Sequence, residues 1–122
     1  MLSHLQDRIS LIFNVLDQYS VSVAPVSVNF DSFKLKVILA DGSSLRINEQ
    51  YRNDTLEKYA YYWLDQRHEL LIGWDNAPHH PQLSTHPHHK HVASQSNIQP
   101  ASESSLDDVL KAILQYLLQS SM

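Results

Sequence analysis

The sequence has no cysteine. That excludes a disulfide framework, a thiolate metal site and a cysteine nucleophile, and it fits a reducing compartment. A basic excess is also missing. Nine Lys and Arg stand against 13 Asp and Glu, giving a net charge of −4 with histidine neutral and a pI near 6.0. Non-specific nucleic-acid binders usually carry a basic footprint, and this chain shows none overall. Protonation of several histidines below about pH 6.5 would reverse the sign locally. No apolar run approaches the ~20 residues that a membrane helix needs. His4, Asp7 and Arg8 interrupt what would otherwise be the start of a signal peptide, so the cytoplasm is the expected location. There is no internal repeat. With 122 residues, 43% of them apolar, the chain suits a single domain over 1–122 with one core.

The order of periodicities indicates the fold. Leu2, Leu5, Ile9, Ile12, Phe13, Leu16 and Tyr19 recur at helical spacing, with Gln6, Asp7, Arg8 and Asn14 on the opposite face. From Val21 the period becomes two. Val21, Val23, Val26, Val28 and Phe30 suggest a strand, which Pro25 confines to an edge or a bulge. Phe33, Leu35, Val37 and Leu39 alternate next, and Leu45 and Ile47 alternate after Asp41-Gly42. Asp-Gly between alternating runs is a strong hairpin signal, because glycine accepts the positive φ of the turn. Tyr59, Tyr61 and Trp63, then Leu70, Ile72 and Trp74, form two further runs joined by Asp65-Gln66-Arg67-His68. Residues 94–105 are rich in Ser, Asn, Gln and Pro and suit a surface connection. A second helix opens near Ser104 or Ser105, with Asp107 and Asp108 in its first turn and an apolar face of Leu106, Val109, Leu110, Ile113, Leu114 and Leu117. The expectation is an α+β domain. An antiparallel β-meander of about five strands would carry an N-terminal and a C-terminal helix on one face.

Between the last long strand and the second helix lies the chemistry. Six of the eight histidines fall in one stretch: His79, His80, His86, His88, His89 and His91. Pro78, Pro81 and Pro87 stiffen it and bar helix or central strand from its middle. His91, Val92 and Ala93 could add a short strand. On an extended chain His89 and His91 point to one side, with Lys90 opposite or bent toward a ligand. Three readings compete. Neutral imidazoles with Asp75 suit zinc, nickel or copper. Two histidines near neutral pH also suit general acid–base cleavage of RNA, with Lys90 offsetting charge on the phosphate and Tyr61, Tyr62 and Trp63 offering faces to unpaired bases. The third reading is structural: Asp75 and Asn76 favour turns after a strand, and alternating aromatics usually pack in a core.

Asp75-Asn76, followed by His88-His89-Lys90-His91 after a meander and before a Leu-rich helix, resembles the TumE-like proteins. These are small bacterial and archaeal toxin components of toxin–antitoxin pairs. The resemblance covers roughly residues 30–118. It is marked in the branch that shares Trp-Asp-Asn-Ala-Pro-His-His, here 74–80, and Pro-His-His-Lys-His, here 87–91. Shorter members have Asp-His-Arg-His after a glycine-containing loop; here His88 replaces the Asp and the loop is proline-rich. The resemblance implies a toxin-like role, RNA cleavage and an antitoxin partner, often a small DNA-binding protein. The working expectation is a metal-independent endoribonuclease without a cofactor. His89 and His91 would be acid and base, Lys90 the phosphate clamp and Asp75 the orienting carboxylate, with Asn76, Tyr61 and His88 on the RNA substrate. The alternative is a non-catalytic module that binds a metal, zinc or another divalent ion, or a protein partner.

Overall fold

Alternation along the central strands separates an apolar side from a polar one, and the helices cover the apolar side. In the computed structural model, which describes residues 1–120 apart from the side chains of Val21 and Ser120, the elements run in chain order. They are α1 (Leu2–Leu16), β1 (Ser20–Val28), β2 (Ser32–Leu39), β3 (Ser44–Arg52), β4 (Thr55–Leu64), β5 (Leu70–Asp75), β6 (His89–Val92), β7 (Ile98–Pro100) and α2 (Leu106–Ser120). The strands form one antiparallel sheet in the order β1-β2-β3-β4-β5-β6-β7. The α+β meander between two helices is as expected, but the sheet has seven strands, not five. The expected short strand after the loop begins at His89. The supposed surface connection after it contains β7, three residues long and too short to show a period. The side chain of Val21, placed in the first alternating run, lies outside the described residues. No helix among the described residues is long and apolar enough to cross a membrane.

Proline sits where it is tolerated: Pro25 is on the edge strand, beside a register shift between Pro25 and Ser27. Gly42 takes φ 87° in the β2–β3 turn. Asp41 there accepts from the Ser43 backbone at 2.9 Å, and its own carbonyl accepts from Gln66 at 2.6 Å, which ties this turn to the β4–β5 turn. Asp65 caps that second turn, accepting from the Arg67 and Glu69 N–H groups.

The core lies between the helices and one face of the sheet. Leu5, Ile12 and Leu16 of α1 and Leu106, Val109, Leu110, Ile113 and Leu117 of α2 pack on Phe33, Leu35, Val37, Leu45, Ile47, Tyr61 and Trp74. Each fully buried aliphatic side chain stabilises the fold by about 1.5–3 kcal/mol. Glu49 is a buried acid in the inward phase of β3, 2% exposed. Arg8 of α1 donates to both its oxygens at 2.8 and 3.2 Å, Tyr51 donates at 2.6 Å, and the Tyr61 hydroxyl donates as well. Every strong acceptor direction is occupied, so the charge is tolerated in the core and pins α1 to the sheet. Burial, then the Glu49 carboxylate, pushes the ionisation of Tyr51 and Tyr61 up. For Arg8, burial pulls downward but the attraction of Glu49 outweighs it, and the net shift is upward.

Candidate active site

The open face of the sheet, away from both helices, carries the histidine chemistry. Asp75 ends β5 and pairs with His89 of β6, while Gly73 pairs with His91. The strand period of two therefore sets Asp75, His89 and His91 on the same side of neighbouring strands. All three are buried: His89 is 2% exposed, and Asp75 and His91 are 8% exposed.

Backbone carbonyls hold both imidazoles. His89 Nδ1 lies 3.0 Å from the Pro87 carbonyl, and His91 Nδ1 lies 2.9 Å from that of Gln95. A carbonyl only accepts, so each Nδ1 carries a proton and each Nε2 is left for other work. Both Nε2 atoms turn to one carboxylate: His89 to Asp75 Oδ1 at 3.0 Å and His91 to Oδ2 at 3.3 Å. Two bare lone pairs facing a carboxylate would repel it. The arrangement is stable with a proton on at least one Nε2 or with a cation among the three donors. Those three donor atoms lie within 4.8 Å of one another. A histidine that donates Nδ1–H to a carbonyl while offering Nε2 inward is the usual arrangement of a metal ligand. Two imidazoles and a carboxylate fit zinc or a similar divalent ion, so Asp75, His89 and His91 could hold one.

Tyr62 completes the rim. Its hydroxyl donates to Asp75 Oδ2 at 3.3 Å, and burial followed by the Asp75 charge pushes its ionisation up. Gly73 makes this possible, because a Cβ at that position would lie 2.4 Å from the Tyr62 ring. His80, from the proline loop, packs edge-on against His89 with ring centroids 4.9 Å apart. Loss of water contact, then the neighbouring His89 and His91, pushes its ionisation down. A groove of about 820 Å³ runs from Asp75, Asn76 and His79 past Tyr62 and Lys58 to Lys34.

Of the other expected site residues, Asn76 lines the groove beside Asp75, while Lys90, Tyr61 and His88 lie away from the cluster. Lys90 alternates to the helix side, where it pairs with Glu103 at 3.7 Å. Tyr61 is fully buried on Glu49 and offers no face to a base. His88 Nδ1 and the Tyr59 hydroxyl are hydrogen-bonded at 2.7 Å. Both ends of the Asn76 amide are engaged, accepting from the Tyr59 N–H at 3.0 Å and donating to the Glu57 carbonyl at 3.0 Å. Asp75 Oδ1 also accepts from the Ala77 N–H at 2.9 Å, the turn-capping bond its residue type favours. Thr85 stitches the loop down, donating to the His88 carbonyl at 2.6 Å and accepting from the Ala101 N–H at 3.1 Å.

The family model described as Toxin TumE matches residues 7–121. The chain belongs to the TumE toxin family. No curated protein and no solved structure matches it. The match spans the whole meander, α2 and α1 from residue 7 onward, so the family assignment covers the Asp75–His89–His91 cluster together with most of its scaffold.

Proposed function

We propose that this chain is the toxin of a toxin–antitoxin pair, acting in the cytoplasm on RNA, with Asp75, His89 and His91 as its reacting centre and a small DNA-binding antitoxin as its partner. One observation carries the reading: the backbone holds both histidines by Nδ1, so that both Nε2 atoms converge on a single carboxylate at the end of an open groove. Such a group places one imidazole to take a proton and another to give one, on either side of a carboxylate that orients both. The neutral Nε2 takes the proton of a 2′-hydroxyl, whose oxygen then bonds to the adjacent phosphorus. The bond to the 5′ oxygen breaks, and the protonated Nε2 supplies that oxygen's proton. The products are a 2′,3′-cyclic phosphate and a 5′-hydroxyl. Asp75 holds charge and orientation throughout, and Tyr62 keeps its carboxylate in place.

The test compares an RNA with the same strand carrying 2′-deoxy at the cut position. Wild type should cut only the first, and His89→Ala should slow cleavage by roughly 10²–10⁴-fold. Equal cleavage of the deoxy strand would remove the 2′-hydroxyl mechanism. The convergence of three ligand-type donors favours a second reading, a metal-binding module without catalysis. A bound divalent ion would supply Lewis acidity or structural stabilisation. Stoichiometric metal in untagged protein, together with no RNA cleavage and no growth arrest, selects this reading.

A further inference from the structure

The open sheet face that ends at the candidate centre also gathers unpaired positive charge. Lys34 and Lys36 of β2, Arg46 of β3 and Lys58 of β4 are four of the nine Lys and Arg residues in the chain. Their registers place them together on the side away from the helices. Lys36 pairs with Arg46, Lys34 with Asn48, Arg46 with Tyr62, and Gln50 with Lys58. Ala60, which follows Lys58 on this side, pairs with Asp75. None of the four cations has an ion-pair partner among the described residues, whereas Arg8, Arg52, Lys90 and Lys111 are each paired with an acid. On the strand positions of this face in β2 to β6 the carboxylates are Asp75 and Glu57, the bulge residue beside Lys58, whose charge is matched by Arg52 at 4.0 Å. The chain is acidic overall and locally basic where its groove runs.

We infer that this face is a track for the phosphate backbone of single-stranded RNA, running from Lys34 and Lys36 across Arg46 and Lys58 to Asp75, His89 and His91. The inference deepens the reading above and rests on it for the choice of RNA. Charge complementarity identifies the occupant: unpaired cations in a line attract a polyanion and release its counterions. From β2 to β6 the track spans four inter-strand spacings of ~4.8 Å, roughly 19 Å, which is enough for several nucleotides. Asn48 and Gln50, between the cations, add amide donors and acceptors along the groove. The phosphate clamp then comes from Lys58 on β4, next to the centre, and Arg46 on β3, one strand further, and not from Lys90.

The experiment uses a labelled 2′-O-methyl oligoribonucleotide, which binds but offers no 2′-hydroxyl, and follows anisotropy against salt. The full chain is compared with Lys34→Gln/Lys58→Gln and with Arg67→Gln/Lys111→Gln, which removes equal charge elsewhere. Losing two phosphate contacts should lower the slope of log K against log salt by about 1.4 and weaken low-salt binding roughly tenfold, while the control stays near wild type. Circular dichroism melts confirm that all three proteins are folded. Equal losses in both variants, or no binding by wild type at low salt, would overturn the track. So would a face variant that keeps RNA and loses the antitoxin, because the face would then be a protein interface. Cleavage of unmodified RNA is scored separately. Binding that follows the face cations without any cleavage keeps the track and removes the proposed reaction. Cleavage whose KM ignores Lys34 and Lys58 does the reverse.

Discussion

Two carboxylates, Glu49 and Asp75, are buried on opposite faces of the same sheet, and their partners differ in kind. Glu49 is met by a guanidinium and two phenols. Arginine stays charged in proteins, and burial keeps both phenols neutral, so nothing around Glu49 changes state near neutral pH. Asp75 is met by two imidazoles and one phenol, and imidazole is the side chain suited to both giving and taking a proton. Glu49 is sealed under α1, whereas Asp75 stands at the end of a groove. A buried acid with fixed donors anchors a fold. One whose donors can switch is equipped for chemistry.

The largest expected effect sharpens this contrast by making the same isosteric change on both sides. Asp75→Asn should reduce RNA cleavage by roughly 10²–10⁴-fold, because the imidazolium loses its counter-charge. Glu49→Gln should spare the chemistry and lower stability by about 2–3 kcal/mol. That is less than the ~3–5 of a fully buried pair, since the Arg8 side chain keeps 25% of its surface in water. Urea melts and single-turnover rates on both variants check the pair, and a Glu49→Gln protein that is stable but inactive would break the contrast.

A smaller effect appears at high pH. Tyr51, Tyr59, Tyr61 and Tyr62 are all pushed upward, chiefly by burial. In the unfolded chain they ionise near pH 10, while in the folded chain they remain neutral. Their contribution is full below that pH and is lost as pH rises toward the higher folded values, at about 1.4 kcal/mol per pH unit for each tyrosine that differs. Phenolate absorbance for these four should appear together with unfolding rather than before it.

The smallest effect concerns Lys90. Because it lies with Glu103 on the helix side, Lys90→Ala should leave the cleavage rate unchanged and cost about 1 kcal/mol or less. A rate loss as deep as that of His89→Ala would mean that the reacting face has been assigned to the wrong side of β6.

Much of the scaffold was legible because long alternating runs and the Asp41-Gly42 and Asp65–His68 turns state their own geometry. β6 and β7 were harder, since four and three residues are too few to show a period amid histidine, lysine and proline. In the centre, the spacing of His89 and His91 already put Lys90 on the far face, but a lysine between two histidines invited a shared role. Tyr61 was misplaced for a related reason: its phase matches Tyr59 and Trp63, both core residues, whereas Tyr62, in the opposite phase, is the one that reaches Asp75. Glu49 also had a signal, an acid in phase with Ile47 and Tyr51. Its partner Arg8 could not be read from spacing, because 41 residues separate them.

The strands lie across the sheet in the order in which a ribosome makes them. Each emerging strand finds its neighbour's edge already in place, so pairing proceeds through local contacts, the fast route for a sheet. Asp75 is synthesised with the fifth strand, but both of its imidazoles belong to the sixth. A nascent chain can therefore carry five strands of the sheet, and Asp75 with them, without either imidazole partner. On the function proposed above, the product gains its centre only once β6 has been made and paired with β5.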